Sequence, residues 1–117
     1  MIIQFPRNRR DDIPDKWYYS LEKFDGALHV LVIGNEPLKR RIYSAYLMFH
    51  PVRPENFPDQ SSLELYEEIM EELTKFTTMG NEGDIQSTIE KISDHDAGEI
   101  ALKIVQLQQY LDRKINI

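Results

Sequence analysis

The apolar positions in the last third of the chain recur with the spacing of a helix. The recurring positions are Ala97, Ile100, Ile104, Leu107 and Leu111. Steps of three and four residues place these side chains on one helical face and leave the polar residues between them on the other. Ser93 is a good N-cap residue, and Asp96 stands three residues after it in the capping-box position. The pattern predicts a helix over residues 93–115 with one buried face.

A similar stripe follows residue 12. Its apolar members are Trp17, Leu21, Phe24, Leu28 and Leu31. Asp12 is the predicted N-cap, with Pro14 in the first turn, and Gly34 is the predicted end. The Asp25-Gly26 pair is a turn signal and residues 27–33 are rich in β-branched side chains, so a helix, a turn and a short strand is the alternative. We favour one helix, because the stripe crosses Gly26 without a change of phase.

The next stripe predicts a second helix that is followed by a proline-rich connector. Its apolar positions are Leu38, Ile42, Ala45 and Phe49. Asn35 is the predicted cap, Pro37 falls in the first turn, and Pro51 ends the helix. Residues 50–58 are too rich in proline for a helix or a central strand. We therefore expect a connector across the bundle, anchored by Val52 and Phe57.

A third helix is predicted from a capping box at Ser61 and Glu64 to about Thr78. Its expected buried face carries Tyr66, Ile69, Leu73 and Phe76, and its expected acidic face carries Glu67, Glu68, Glu71 and Glu72. Asp84 is the predicted cap of a short helix whose inner side carries Ile85, Ile89 and Ile92. The predicted fold class is therefore all-α, with four principal helices and a short one packed as a single helical bundle. We divide the chain into an N-terminal arm, 1–11, and a single helical domain, 12–117.

Charge and composition narrow the functional classes. The 117 residues contain no cysteine, which excludes disulfides and thiolate chemistry and makes the cytoplasm the expected location. The net charge is −6, and it is divided unevenly, with a net of +2 over residues 1–58 and −8 over residues 59–117. An acidic half repels a phosphate backbone, so nucleic acid is an unlikely partner. Apolar runs are too short to span a membrane, and we expect no membrane association.

Metal and nucleophile chemistry find little support in the residue spacing. Di-metal helical bundles use Glu-x-x-His pairs, and the residues three positions before His29, His50 and His95 are not acidic. We expect His29 to be a core or boundary imidazole and the other two histidines to be solvated. No serine lies in a Gly-x-Ser-x-Gly turn, and the glycines form no phosphate-binding cluster. The sequence therefore predicts no catalytic residue, no metal site and no cofactor.

One motif on the acidic helix nevertheless points to an enzyme class. Two Glu-x-x-Glu pairs occur there, Glu64 with Glu67 and Glu68 with Glu71. They resemble the first half of the motif of all-α nucleoside triphosphate pyrophosphatases, a family in which such pairs hold magnesium against a triphosphate. That motif continues with Glu-x-x-Asp on a later helix, whereas Glu82, Glu90 and Glu99 are followed at this spacing by Ile85, Ser93 and Leu102. The resemblance implies magnesium-dependent nucleotide hydrolysis as an alternative function.

Aromatic and basic side chains indicate protein binding instead. Trp17, Tyr18 and Tyr19 are consecutive and point in three directions, so one core cannot bury all of them. Arg40, Arg41 and Tyr43 form a second group, and Tyr, Trp and Arg are enriched at interface hot spots. We therefore expect these six residues to form an interface. The run Lys39 to Arg41 beside Tyr43 is also the basis of a weaker hypothesis, an accessory role on nucleic acid.

The leading interpretation is a non-catalytic helical protein that binds another protein and associates with itself, forming a homodimer. Attraction between its +2 and −8 halves would favour such pairing. The first alternative is an acidic inhibitor or immunity-type protein, whose glutamate face covers a basic site on its target. The second is the magnesium-dependent pyrophosphatase-like enzyme.

Overall fold

The computed structural model describes residues 13–76 and 83–116, and within them it contains five α-helices and no β-strand. The helices are α1 (Asp15–Ile33), α2 (Leu38–Phe49), α3 (Gln60–Leu73), α4 (Gly83–Lys91) and α5 (Asp94–Ile115), with a short 3₁₀ turn at Pro54–Asn56. They pack against one another around one apolar core. The predicted all-α bundle is confirmed. The predicted arm, 1–11, lies outside the described residues.

Helix α1 is continuous through Gly26, as the unbroken stripe predicted. Phe24, Ala27 and Leu31 are all buried, so burial keeps its helical period across the turn signal, and the strand alternative for residues 27–33 is wrong. The start of the helix differs from the prediction. Pro14 has ψ 139°, which is extended, so the helix begins at Asp15 with Pro14 as its N-cap. Asp12, the predicted cap, lies outside the described residues.

Helix α2 folds back on α1 as an antiparallel hairpin. Phe24 stacks on Phe49 with ring centroids 4.7 Å apart. The Met48 methyl group lies against Gly26, where an added Cβ would come within 2.5 Å of it, so the glycine permits this close approach. The predicted cap at Asn35 is wrong: Pro37 occupies the N-cap position, and no side chain caps the helix.

The proline-rich connector is anchored as predicted, whereas the start of α3 differs from the prediction. Val52 and Phe57 are buried, which confirms both anchors. The capping box, however, is formed by Asp59 and Ser62, not by Ser61 and Glu64. The Asp59 carboxylate accepts a hydrogen bond from the Ser62 N–H at 2.9 Å. Asp59 has an extended backbone, with φ −154° and ψ 173°, and its carboxylate caps the first turn, so the N-cap lies two residues before the predicted Ser61.

Helix α3 also ends earlier than predicted. The Thr74 hydroxyl donates to the Met70 carbonyl at 2.8 Å, and α3 stops at Leu73. The Thr74 N–H donates to the same carbonyl at 3.0 Å, so Thr74 serves as the C-cap and its hydroxyl gives this terminal carbonyl a second donor. Phe76 consequently lies outside the helix and is 38% exposed, so its predicted place on the buried face is wrong.

Helix α5 closes the core. Its Ser93 hydroxyl caps the helix by accepting from the Asp96 N–H at 3.0 Å, as predicted. All five predicted stripe residues are buried, and Ile115 extends the stripe by one turn. The three isoleucines of the short α4 prediction, Ile85, Ile89 and Ile92, are also buried. Gln108 donates to the Asp25 carboxylate at 2.8 Å, which helps to hold α5 antiparallel to α1.

Candidate functional site

The six residues predicted to form one interface lie at the two ends of the α1–α2 hairpin. Contacts between Phe24 and Phe49 and between Leu31 and Arg41 fix the antiparallel register of the two helices. In this register Tyr43 lies level with about residue 30 of α1, and at 1.5 Å per residue it is roughly 18 Å along the axis from Tyr18. The aromatic run and the basic group therefore do not form one continuous patch.

The aromatic run at the start of α1 is packed more extensively than its sequence suggested. Trp17, Tyr18 and Tyr19 are all half-buried and pack against the core. This is possible because α1 has neighbours on both sides, α5 on one and α2 with the 3₁₀ turn on the other. The Lys23 ammonium lies over the Tyr19 ring, 5.2 Å from its centroid.

An open groove of about 560 Å³ lies beside this aromatic run. It is lined by α1 and by the end of α5, through Asp15, Tyr18, Tyr19, Leu21, Glu22, Asp25 and Asn116. Its carboxylates make the groove acidic. Asp25 is occupied by the hydrogen bond from Gln108. The groove therefore combines aromatic walls with negative charge at one end of the hairpin.

Arg41 has an internal role. Its guanidinium donates to the carbonyl oxygens of Leu31 at 2.6 Å and of Glu36 at 2.8 Å. The last carbonyls of a helix have no partner within the helix, so Arg41 caps the end of α1 and ties down the hairpin loop. Arg41 is thus held within the fold, which accounts for one of the cations that stand unfavourably near the start of α2.

The other members of the basic group face α4. Lys39, Arg40 and Tyr43 line a second groove, of about 380 Å³, with Gln86, Ile89 and Glu90. Glu90 places a carboxylate opposite the two cations. Arg40 is exposed, whereas Lys39 and Tyr43 are half-buried. The groove is mixed in charge, so the structure gives the basic run no uniformly positive surface.

The solvent side of the hairpin carries apolar side chains that the sequence analysis did not select. Six large apolar side chains are exposed in the described part of the chain: Val32, Ile33, Leu47, Met48, Phe76 and Leu102. Four of these belong to α1 and α2. Leu47 and Met48 do not follow the spacing of the core-facing positions Leu38, Ile42, Ala45 and Phe49. This difference in helical phase already indicates, from the sequence, two apolar side chains on the exposed side of α2. A search of α2 for apolar residues outside its buried stripe would have identified both.

We call this surface the hairpin face. It consists of side chains of α1 and α2 that point away from the core, namely Glu22, Gly26, His29, Ile33, Leu47 and Met48. Tyr19 and Arg40 lie at its two edges, where they line the grooves beside α5 and α4. Gly26 and Met48 touch across the helices and give the face an apolar centre. Glu22 stands toward one end and Arg40 toward the other, so the face carries opposite charges at its ends.

The outer surface of α3 is different in character. Glu67, Glu68 and Glu71 are exposed and Glu72 is half-buried. They lie on the side opposite buried Ser62, Ile69 and Leu73, as the spacing predicted. We call this surface the acidic face. Glu64, also exposed, continues it toward the helix start.

A polar network holds the start of α3 to the end of α5. The Tyr110 hydroxyl donates to the Asp59 carboxylate at 2.5 Å, and the Lys114 ammonium lies 3.5 Å from the same carboxylate. Burial alone would raise the pKa of Asp59, but the hydrogen bonds from Tyr110 and Ser62 and the charge of Lys114 outweigh it and lower the pKa. The hydrogen bond to Asp59 raises the pKa of Tyr110. These residues cap and join helices, which is a structural role.

The residues that the structure describes include no group of three or more His, Asp or Glu side chains placed to hold a metal ion. His29, His50 and His95 are exposed. The expectation of a core or boundary position for His29 is therefore wrong, because its phase places it opposite Phe24 and Leu31. Helices formed by residues 13–76 and 83–116 include none whose length and apolar content suit a membrane crossing.

Comparison of the chain with protein-family models, curated protein sequences and solved structures finds no significant match. Function is therefore inferred from the chain's own surfaces.

Proposed function

We propose that this protein works without catalysis by binding another protein, and that it binds a second copy of itself through the hairpin face to form a homodimer. The observation that carries the proposal is the concentration of exposed apolar side chains on α1 and α2. Single exposed apolar residues are common, but neighbouring ones on one face are typical of interaction surfaces. Leu47 is 48% exposed and stands next to Met48 at the centre of the face.

Charge distribution favours the hairpin face over the acidic face as the self-association surface. A copy of the acidic face repels another copy, because both carry only negative side chains. The hairpin face carries both signs, and its centre is apolar. Of the residues selected from the sequence, Tyr19 and Arg40 lie at the edges of this face, Tyr18 and Tyr43 line the grooves beside it, and Arg41 supports it from within. Trp17 packs against the core.

The proposal is tested by absolute mass from light scattering behind size exclusion, at low and high salt. We expect a dimer that persists at high salt, because its contacts are mainly apolar. Leu47→Glu should yield a monomer. Leu102→Glu is the matched control, because Leu102 is 49% exposed but lies on α5, away from the hairpin face. A wild-type protein that stays monomeric at both salts and at high concentration would rule out the proposal.

A second candidate is supported by the acidic face, which presents three exposed glutamates and one half-buried glutamate and no basic side chain. We propose as the alternative that this face covers a basic site on a target protein, as an inhibitor or immunity-type protein would. Binding of that kind weakens as ionic strength rises. Capture of a partner that is lost at high salt, and lost when Glu67, Glu68 and Glu71 are changed to Gln, would support it; salt-insensitive capture would contradict it.

The non-catalytic part of the proposal has its own test. Incubation with the common nucleoside triphosphates and either magnesium or manganese should release no pyrophosphate. Release that depends on Glu64 and Glu68 would instead favour the pyrophosphatase-like alternative. We propose a cytoplasmic location, which the absence of cysteine supports.

A further inference from the structure

Two of the four methionines lie in the described part of the chain, and they occupy different environments. Met70, on α3, is half-buried and packs against the core. Met48, on α2, is 38% exposed and lies at the centre of the hairpin face beside Leu47. An oxidant in solution reaches an exposed thioether more easily than a packed one. Met48 is therefore the more accessible of the two to oxidation.

The tip of Met48 is part of the contact between α1 and α2. Its methyl group lies next to Gly26, where an added Cβ would come within 2.5 Å of it. Glycine allows this approach because it has no side chain of its own. Gly26 therefore presents bare helix backbone to the methyl group, with no side-chain donor that a polar atom at the end of Met48 could use.

An oxygen atom on the sulfur of Met48 would change this contact. Oxidation turns the flexible, apolar thioether into a polar, chiral sulfoxide. A sulfoxide oxygen that is buried against Gly26 loses water without gaining a hydrogen bond, which is unfavourable. If the oxygen turns to the solvent instead, the methyl group leaves Gly26, because both groups are bonded to the same sulfur. Either result weakens the packing of α2 on α1 and puts a polar group at the apolar centre of the hairpin face.

We propose that Met48 is a redox-sensitive site, at which a peroxide forms a sulfoxide that loosens the α1–α2 contact and prevents a second copy from binding to the hairpin face. A lone pair on the sulfur attacks one oxygen of the peroxide, so that the S–O bond forms as the O–O bond breaks. The sulfur is oxidised by loss of an electron pair to the peroxide. With hydrogen peroxide, the proton on the transferred oxygen passes to the leaving hydroxide, which departs as water.

The two parts of this inference have different foundations. The effect on the fold depends on Met48 and Gly26 alone, whereas the effect on assembly rests on the proposed self-association. A second copy on the hairpin face would cover Met48, so the monomer is the form that reacts. We therefore expect Met48 to be oxidised faster in dilute protein than in concentrated protein at the same peroxide concentration. Leu47→Glu, the monomeric variant, should show the same rate at both concentrations.

Site selectivity is measured by peptide mapping after timed exposure of the full chain to hydrogen peroxide. Met48 should gain oxygen at least about threefold faster than Met70. Unfolding the protein in urea should equalise the two rates, because the difference comes from packing. Equal rates in the folded protein would overturn the assignment of Met48 as the preferred site.

The consequences are measured on protein in which Met48 is fully oxidised. The melting temperature should fall by roughly 3 °C or more. The dissociation constant of the dimer should rise at least about tenfold, since a sulfoxide disrupts an apolar interface. Met48→Gln places a polar group at the same position without an oxidant and should reproduce both changes. Methionine sulfoxide reductase should reverse the changes in the oxidised protein.

Met48→Leu and Met70→Leu are the paired controls, because leucine is close to methionine in volume and carries no sulfur. Each variant is compared with itself before and after treatment with peroxide. Met70→Leu should lose stability and assembly on oxidation as wild type does, and Met48→Leu should lose neither. A loss of the same size in Met48→Leu would mean that another methionine is responsible, and it would overturn the proposal.

The two proposals fail differently. If wild type is monomeric at every concentration, the proposed self-association fails. A fall in melting temperature that is confined to proteins containing Met48 would then still support its effect on the α1–α2 contact. If wild type dimerises, and its mass and melting temperature do not change when Met48 is fully oxidised, self-association stands and the redox inference is overturned.

Discussion

The hairpin face and the acidic face are both the solvent sides of amphipathic helices, yet they favour different interactions. The hairpin face has Gly26, Leu47 and Met48 at its centre and opposite charges toward its ends. The acidic face presents exposed glutamates with no cation among them. Removing water from the apolar centre of the hairpin face is favourable in free energy, because apolar area is buried. Removing water from the glutamates of the acidic face is unfavourable unless a basic partner pairs with them.

This difference shows that amphipathicity alone does not identify an interaction surface. Both α2 and α3 bury one stripe and expose the other side, so their sequence patterns look alike. The kind of partner follows from the side chains that remain outside: apolar ones suit a second copy, and charges of one sign suit a partner of the opposite sign.

The largest loss of folding stability is expected from a substitution on the buried side of the α1–α2 hairpin. Phe49 is fully buried and stacks on Phe24, so Phe49→Ala should lower the free energy of unfolding by about 3–5 kcal/mol. The neighbouring change Leu47→Ala should alter it by less than about 0.5 kcal/mol, because Leu47 is already half exposed. Urea denaturation measures both. Equal losses would mean that Leu47 belongs to the core and not to the hairpin face.

Substitutions at the start of α3 should reduce folding stability more than substitutions on the acidic face of the same helix. Asp59→Ala removes the N-cap and the acceptor of the Tyr110 hydroxyl, and it should cost about 2 kcal/mol. Thermal unfolding checks this loss. Asp59→Asn is the control that keeps a capping oxygen, and it should cost clearly less. If both variants lose the same stability, the carboxylate charge matters more than the cap.

The same carboxylate makes stability depend on pH. The pKa of Asp59 lies below its ordinary value of 3.8 in the folded protein, so the folded state favours the ionised form. The stabilisation that ionised Asp59 gives to the folded protein is fully present above pH 3.8 and is lost as the pH falls through the pKa of the folded state. Denaturation followed from pH 6 down to pH 2 should show this loss in wild type and a shallower one in Asp59→Asn. Identical acid limbs would indicate that other carboxylates dominate.

Arg41 and Arg40 should behave differently although they are neighbours. Arg41→Ala removes two hydrogen bonds to the hairpin loop and should cost about 1 kcal/mol. Arg40→Ala should leave the stability of the monomer within about 0.5 kcal/mol, because Arg40 is exposed. The expected pattern is therefore loss of folding stability for one and loss of dimer affinity for the other. Weaker dimerisation from Arg41→Ala alone would reverse their assigned roles.

The smallest effect is expected on the acidic face. Glu68 has glutamates four residues away on both sides, Glu64 and Glu72, and like charges at this spacing destabilise a helix by about 0.2–0.5 kcal/mol per pair. Glu68→Gln should therefore raise the melting temperature slightly at low salt, with the gain shrinking at high salt. Dimer mass should not change. A shift in mass would place the acidic face in the self-association surface.

Local patterns in the sequence are sufficient to predict most of the helices and their buried sides. The stripes of α5 and of the short α4 and the continuity of α1 through Gly26 are local properties, because a period of three to four residues is set by one helix alone. The Ser93 cap was predictable for the same reason. The acidic side of α3 followed directly from the phase of its apolar stripe.

The starts of α1, α2 and α3 and the surfaces that stay exposed depend on contacts between helices and on loop geometry. The caps expected at Asn35 and Ser61 are wrong, because Pro37 stands at the N-cap of α2 and Asp59, two residues before Ser61, caps α3. His29 is exposed, and the aromatic run is half-buried between neighbouring helices. Arg41 donates hydrogen bonds to the end of α1 and to the hairpin loop. Each of these positions depends on which element packs beside the side chain. The division of the predicted interface between the two ends of the hairpin has the same cause: register between helices is a long-range property that no local spacing contains.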